Sequence, residues 1–175
     1  MSTSDEVRSD HRREPIPTIE GVLVRLRPLR PSDLDALVRV LSDPSVAEWW
    51  DSRGAQVSAN ELLADDPDVV VFAVEFDGEL AGSIQYHEEL EPDYRHAGID
   101  IFLHSRFQCR GLGTDAVRPI ARYLLEARGH HPRPIYPPAA NARALLTCVT
   151  VGCTPVGRSP VFVRGPAGPA HDGRP

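Results

Sequence analysis

The sequence predicts a single domain of the α/β or α+β class, and three observations support this. The chain has 175 residues, of which 41% are hydrophobic, and this is enough for one core. Apolar runs of strand length alternate with segments whose apolar residues recur at helical spacing. The resulting order is β-α-α-β-β-β-α-β-α-β with no internal repeat, which is typical of a layered α/β or α+β sandwich.

The first part of the chain predicts a strand and two helices. Residues 22–26 form a short apolar strand, and the helix that follows has Ser32 as its cap, with Asp35 three residues later. A second short helix is predicted after Pro44, and we expect it to carry residues 48–50. The apolar face of the longer helix consists of Leu34, Leu37, Val38 and Leu41.

The middle of the chain predicts three strands. Residues 69–76 and 79–87 flank Asp77-Gly78, a dipeptide typical of a two-residue hairpin turn. Residues 98–103 form the third strand. Its alternation places Ile99, Ile101 and Leu103 on one face and Asp100, Phe102 and His104 on the other.

The clearest predicted helix spans residues 114–128, although Pro119 fits poorly near its first turn. A strand near Ile135, a helix at 140–150 and a strand at 155–163 complete the pattern. The apolar face of the 114–128 helix consists of Ala116, Val117, Ile120, Ala121, Leu124 and Leu125.

Composition sets the domain boundaries and excludes several classes of function. Residues 1–18 are predicted to be a disordered leader, 19–164 the domain, and 165–175 a flexible tail. The formal charge of −6 argues against general nucleic-acid binding. All 19 basic residues are arginine, which excludes a lysine Schiff base and a lysine-dependent phosphate loop.

We expect a cytoplasmic protein that has no contact with a membrane. The longest apolar run, at 69–74, is too short to span a bilayer, and the first 18 residues contain no apolar signal segment. The three cysteines form no CxxC pair, so neither a disulfide scaffold nor a zinc ribbon is predicted.

The most informative motif is the heptapeptide Gln108-Cys109-Arg110-Gly111-Leu112-Gly113-Thr114, which lies between a strand and a helix. Its two glycines allow the backbone to approach a ligand, and the amides that enter the helix at Thr114 carry the positive end of the helix dipole. This arrangement is typical of a diphosphate site. A tight turn with no ligand is the alternative. Neither the Walker loop nor the dinucleotide fingerprint is present.

A strand followed by Q/R-x-x-G-x-G and an amphipathic helix resembles motif A of the GNAT superfamily of acyl-CoA-dependent N-acetyltransferases. The resemblance extends from Val22 to Gly157 and includes the segment 137–144 with its Asn141. Residues 46–50, ending in Glu-Trp-Trp, and residues 98–100, Gly-Ile-Asp, resemble the aminoglycoside 6′-N-acetyltransferases and the siderophore lysine acyltransferases.

The resemblance implies a central mixed, mostly antiparallel sheet flanked by helices, with acetyl-CoA as co-substrate and no metal. It implies that Glu48, Trp49, Trp50 and Asp100 contact the acceptor amine. The groups implied to contact the coenzyme are Leu103, Gln108, Cys109, Arg110, Gly111, Leu112, Gly113, Thr114 and Asn141. The loop would act through its backbone amides, and the end of the Asp100 strand would bond the thioester side.

Asp100 is the candidate catalytic base, because an amine must be neutral to attack a thioester and a nearby carboxylate can accept its proton. An ordinary solvent-facing strand carboxylate is the alternative. The cluster Glu88, Glu89, Glu91 and Asp93 can attract a cationic amine, or it can simply be a solvated acidic loop.

The sequence departs from the family pattern in its last third. Cys148 stands where the family commonly has a tyrosine that protonates the departing thiolate, so Cys148 is a candidate for that role and equally for packing. Tyr136 and Cys153 also differ from the pattern, and the strand expected after the last hairpin turn is missing. The open sheet edge predicted by that loss can pair with a second copy in a homodimer.

The resemblance implies acetyl transfer to a primary amine of a small polycationic molecule. An aminoglycoside acceptor would make antibiotic resistance the biological role. The alternatives are a siderophore-type hydroxylysine N-acyltransferase and a catalytically impaired homologue that binds acyl-CoA.

Overall fold

The computed structural model describes residues 15–50, 53–64, 66–89 and 96–128, and the residue pairs 134–135, 154–155 and 162–163. Its main feature is a five-stranded sheet with the order β1-β2-β3-β4-β5. The strands are β1 Ile19–Glu20, β2 Arg25–Pro28, β3 Val69–Phe76, β4 Glu79–Glu89 and β5 His96–Leu103. Every strand pairing among the described residues is antiparallel.

The hairpin between β3 and β4 confirms the prediction made from Asp77-Gly78. Both residues have positive φ, 52° and 78°, as a type I′ turn requires. The ladder pairs Val69 with His87 at one end and Phe76 with Glu79 at the other. The turn therefore fixes the register between β3 and β4.

The predicted first strand, 22–26, is wrong in its boundaries. Val22 and Leu23 are 91% and 52% exposed, and they lie in the turn between β1 and β2. The amides of residues 22–24 donate to the carboxylate of Asp115 and so make no strand ladder. The continuous strand begins only at Arg25.

Three helices precede β3: α1 Leu34–Leu41, α2 Pro44–Ala47 and α3 Ala55–Leu63. The predicted cap of α1 by Ser32 and Asp35 is wrong. A 3₁₀ turn, Pro31–Asp33, leads into α1, and the carboxylate of Asp33 accepts from the amide of Arg30 at 2.8 Å. The side chain of Arg27 donates to both oxygens of Asp33, which holds this carboxylate in place.

The helix predicted for residues 48–50 ends earlier, because α2 stops at Ala47. The sequence analysis did not predict α3. Ser58, Ala59 and Leu62 are buried on this helix, so its inner face combines one large apolar side chain with two small ones, one of them polar.

The last helix described, α4, spans Leu112–Arg122 and continues as a π-helical turn, Tyr123–Ala127. It begins two residues before the predicted start. Pro119 lies inside the helix, not near its first turn, and it removes one amide from the helical bond pattern. The predicted apolar face is confirmed, since the buried residues of this segment include Ala116, Val117, Ile120, Ala121 and Leu124.

The two faces of the sheet carry different helices. On one face, α4 packs on a core that includes Phe72, Ile84 and Leu103. On the other face, α1 to α3 pack with Phe102. The predicted alternation along β5 is therefore confirmed, because Ile99 and Ile101 pack against the first core and Phe102 belongs to the second.

A small separate sheet contains β6 Pro134–Ile135, β7 Thr154–Pro155 and β8 Phe162–Val163 in the order β6-β8-β7. This confirms a strand near Ile135 and divides the predicted strand at 155–163 into two short pieces. The helix predicted at 140–150 and the missing final strand lie outside the described residues. The leader, domain and tail boundaries stay predictions. No helix within the described ranges is both long and apolar enough to cross a membrane.

Candidate active site

The candidate coenzyme loop, residues 108–114, connects the end of β5 to α4. A 3₁₀ turn, Ser105–Phe107, follows the strand, and α4 begins at Leu112. Cys109 and Gly111 have positive φ, 58° and 79°. No atom lies within 4 Å of a Cβ built on Gly111, so the loop is open on that side.

The first amides of α4 have no acceptor in the described part of the chain. The first bond that closes the helix runs from the amide of Asp115 to the carbonyl oxygen of Gly111 at 2.9 Å. The amides of Leu112, Gly113 and Thr114 lie before that bond and make no hydrogen bond to a described backbone acceptor. A diphosphate fits these donors and the dipole of an 11-residue helix.

Gln108, the first residue of this loop, supports it through hydrogen bonds. Its amide donates to the carbonyl oxygen of Ser105 at 3.1 Å, so the amide is already used inside the turn. Its side-chain Nε2 donates to the carbonyl oxygen of Leu103 at 2.7 Å and to Ser45 Oγ at 2.9 Å. The side chain therefore ties the loop to the end of β5 and to α2.

Arg110 adds positive charge to the loop. Its guanidinium lies over the ring of Phe76, 4.8 Å from the ring centroid, and Cys109 next to it is an exposed free cysteine. The aromatic ring restricts the arginine, so its charge stays near the entrance of α4.

Leu103 lies on the outer edge of the five-stranded sheet. The amide of His104 donates across to the carbonyl oxygen of Ala81 on β4 at 3.0 Å. Because backbone groups alternate along a strand, those of Leu103 point to the opposite edge, where no described strand pairs. Its carbonyl there accepts from Gln108, and its amide faces the same side.

Asp100 is exposed on β5, on the face that also carries Phe102. Gln85, its partner across the ladder, donates from Nε2 to Asp100 Oδ2 at 3.2 Å. This bond orients the carboxylate and leaves its second oxygen with no described donor. A carboxylate in this position can attract an ammonium group and accept a proton.

The two adjacent tryptophans take different positions, as expected for neighbours along the chain. The ring of Trp50 packs on Phe102 with 4.4 Å between ring centroids, and Trp49 is 41% exposed. Trp50 thus stands on the same sheet face as Asp100. Glu48 is the residue after α2 and directly precedes the pair.

A cavity of about 390 Å³ lies behind Trp50, between α1, α2 and α3. Leu41, Ala47 and Ala55 contribute to its lining, whereas neither Asp100 nor the coenzyme loop does. The cavity is therefore a space among the helices that support Trp50, and it is separate from Asp100 and the coenzyme loop.

Asp43 is a site residue that sequence reasoning missed. Its carboxylate accepts from the amide and Oγ of Ser45 at 2.9 and 2.5 Å and from the Oγ of Ser105 at 2.5 Å. Burial alone would raise the pKa of Asp43, but the bonds from Ser105 and Ser45 outweigh it and lower the pKa to about 2. The segment Asp43-Pro44-Ser45 carries a recognisable N-cap signal, whereas the contact with Ser105 has no local signal.

One residue of the expected acidic cluster, Glu88, is already held in an ion pair. Glu88 is paired with Arg128, Oε2 to Nη2 at 2.8 Å, and both side chains are largely buried. Glu88 also lies on the α4 side of the sheet, where Tyr86 packs against Tyr123. Its charge is therefore neutralised there and does not attract an acceptor on the Asp100 face.

Two of the predicted site residues, Asn141 and Cys148, lie outside the described residues, as do Glu91 and Asp93 of the acidic cluster. Their assigned roles stay predictions. Within the described ranges, no group of three or more His, Cys, Asp or Glu side chains is arranged to hold a metal ion.

A match to a known protein family identifies this arrangement of strand, loop and helix. A family model described as acetyltransferase (GNAT) domain matches residues 24–147. The chain belongs to the GNAT acetyltransferase family. A search of curated proteins finds no match.

Solved structures show the same GNAT fold. A Vibrio cholerae protein assigned as a ribosomal-protein-serine acetyltransferase is 16% identical, with a TM-score of 0.70 over 87% of this chain and 99% of that one. AAC(6′)-Ib in complex with paromomycin and acetyl-CoA is 24% identical, with a TM-score of 0.67 over 81% and 90%. Mycobacterium smegmatis RimJ in complex with CoA-disulfide is 20% identical, with a TM-score of 0.70 over 84% and 85%.

Proposed function

We propose that this GNAT domain transfers an acetyl group from acetyl-CoA to a primary amine of a small polycationic molecule. The observation that carries the proposal is the position of Asp100. This exposed carboxylate lies on β5, which the 3₁₀ turn Ser105–Phe107 connects to the coenzyme loop, and it is on the face walled by Trp50. The loop amides of residues 112–114 would hold the diphosphate of the coenzyme.

The proposed reaction is direct attack in a ternary complex. Asp100 binds the acceptor ammonium and takes one proton from it, directly or through a water molecule. The neutral nitrogen then attacks the thioester carbonyl, so that a C–N bond forms and the C–S bond breaks. The second amine proton leaves to solvent, and the departing thiolate takes a proton from Cys148 or from water.

The acceptor class is supported by charge and by one relative. The exposed carboxylate of Asp100 favours a cation, and the ring of Trp50, which packs on Phe102 of the same strand, offers apolar and cation–π contacts on that face. AAC(6′)-Ib is solved with the aminoglycosides paromomycin and ribostamycin. These observations favour an aminoglycoside-like acceptor over the hydroxylysine of siderophore assembly.

A protein amine is the second candidate acceptor. The ribosomal-protein acetyltransferase and RimJ align with this chain at the higher TM-score of 0.70. An open sheet face can admit a peptide terminus as readily as a small polyamine. We therefore keep both acceptors in the test.

The test is release of coenzyme A thiol from acetyl-CoA over a panel of aminoglycosides, polyamines, lysine derivatives and short peptides with free α-amines. We expect release above the blank without amine for at least one polycationic small molecule. Release with peptides alone would show that a protein amine is the acceptor. Release with no member, while acetyl-CoA still binds, would favour an impaired acyl-CoA-binding homologue.

Long-chain acyl-CoA in the same assay separates acetyl transfer from the siderophore-type reaction. We expect acetyl-CoA to be the better donor. Faster thiol release with the long-chain donor and hydroxylysine would contradict the acetyltransferase proposal.

A further inference from the structure

Asp43 lies at the junction of two elements of this fold. It precedes α2, its side chain is only 6% exposed, and its carboxylate contacts both α2 and the 3₁₀ turn after β5. The partners from the two elements are Ser45 and Ser105, each of which donates its amide and its hydroxyl. His104 Nδ1 is also 3.3 Å from Oδ2.

The contact with Ser45 continues into the coenzyme loop. Ser45 donates its hydroxyl proton to Asp43, so the oxygen of the same hydroxyl is left as an acceptor, and Gln108 Nε2 donates to it at 2.9 Å. Gln108 also bonds the carbonyl oxygen of Leu103. The chain Asp43–Ser45–Gln108 therefore connects a buried carboxylate to the first residue of the loop.

The same chain ends beside the acceptor wall. Ser45 lies in α2, and Trp49 and Trp50 follow after Glu48, with their amides bonded back to the carbonyl oxygen of Val46 in α2. A site is held in its productive geometry when its supporting side chains are themselves locked by packing and hydrogen bonds. Asp43 is locked in this way, and through Ser45 it supports both the coenzyme loop and the helix that precedes the two tryptophans.

We propose that Asp43 and Ser45 are positioning residues for the coenzyme site, which they hold in its binding conformation through the side chain of Gln108. The inference rests on the proposed function, because it takes residues 108–114 as the coenzyme loop. Neither residue touches the reacting atoms. Their effect passes through Gln108 to the backbone of the loop.

Calorimetric titration with coenzyme A tests the proposal on the full chain. We expect Ser45→Ala and Asp43→Asn each to weaken binding about tenfold, since each removes a link of the chain to Gln108. Ser45→Thr keeps the hydroxyl and is expected to retain wild-type affinity within about twofold. Ser42→Ala is the matched control, because the Ser42 hydroxyl donates to the carbonyl oxygen of Val38 in α1 and makes no bond to the coenzyme loop among the described residues.

A double-mutant cycle separates positioning from general loss of structure. Gln108→Ala alone should weaken coenzyme binding, and adding Ser45→Ala should weaken it little further, because the shared bond is already absent. Additive losses would overturn the proposal. If Asp43→Asn does not fold by thermal melting, the Ser45 and Gln108 variants carry the test.

The outcomes distinguish this inference from the proposed function. A wild-type chain that binds coenzyme A with the same affinity as Ser45→Ala overturns the positioning role alone. A wild-type chain that binds no coenzyme A contradicts the proposed function, and the inference falls with it.

Discussion

Asp100 carries the proposed chemistry at the scale of a single residue. Its carboxylate is exposed, it is oriented by Gln85, and it lies on the face that holds the aromatic wall. The alternation of residues 98–103 predicts this placement, because it puts Asp100 and Phe102 on the same face of the strand.

Asp100→Asn keeps the shape of the side chain and removes the base. We expect kcat/KM for the amine to fall by about 100-fold or more, the usual contribution of a general base, with unchanged affinity for coenzyme A. Initial rates of thiol release and a coenzyme titration measure the two quantities.

Asp35→Asn is the control for this substitution, since Asp35 is an exposed carboxylate on α1 far along the chain from β5. Its rate should match that of the wild type. An Asp100→Asn variant with the wild-type rate would show that Asp100 is an ordinary surface carboxylate.

Asp43 makes a second prediction at this scale, on stability and pH. Its burial is outweighed by hydrogen bonds from Ser105 and Ser45, so that its pKa lies at about 2, below the ordinary value of 3.8. A group whose folded pKa is depressed stabilises the fold above the unfolded pKa, and this contribution disappears as the pH falls through the folded value.

We therefore expect the difference in unfolding free energy between the wild type and Asp43→Asn to be largest near neutral pH and to shrink between about pH 4 and pH 2. Urea unfolding at pH 7, 4 and 3 measures it. A difference that stays constant over this range would mean that the carboxylate charge is not what stabilises the junction.

The start of α4 is fixed, at the scale of elements, by a contact with the turn between β1 and β2. The carboxylate of Asp115 accepts from the amides of Val22, Leu23 and Val24 at 3.0, 2.7 and 2.9 Å. Asp115 itself is buried in the first turn of the helix. The contact therefore anchors the helix whose first amides would bind the diphosphate.

Asp115→Ala removes the acceptor of three amides at once, one of which is buried. We expect a loss of about 2 to 4 kcal/mol in unfolding free energy, since stranded donors and charge-assisted bonds are both involved. Urea denaturation measures it, with Glu126→Gln as the control because Glu126 is exposed in the π-helical turn. Equal stability of the two variants would show that water replaces the carboxylate without cost.

The same contact explains why the sequence predicts some elements better than others. The hairpin of β3 and β4 is set by its own turn residues, and the face of α4 by its own apolar spacing, so both follow from local pattern. The turn at residues 22–24 depends on Asp115, more than 90 residues away. Helix α3 buries Ser58, Ala59 and Leu62, so a polar serine and a small alanine interrupt the apolar stripe that would predict it.

The site divides in the same way at the scale of the whole molecule. The loop glycines, the Trp pair and Asp100 are visible in the sequence because their spacing and resemblance are local. The role of Asp43 is not visible in the sequence, because its contact with Ser105 joins residues that are 62 positions apart along the chain. Glu88 was expected beside the acceptor, but it pairs with Arg128, which directly follows the π-helical turn after α4.

The whole fold brings the two halves of the site together at one end of β5. The α4 core lies on one face and the core of α1 to α3 on the other, and β5 is the outermost strand of the described sheet. The coenzyme loop is continuous with the strand that carries Asp100. The account therefore depends first on coenzyme binding at residues 108–114.

Calorimetric titration of acetyl-CoA into the wild type and Gly111→Val tests that central claim most directly. A valine at a φ of 79° strains the loop, so the variant should bind at least about tenfold more weakly than the wild type, whose Kd we expect in the micromolar range. No binding by the wild type, or equal binding by a folded Gly111→Val, would contradict the account.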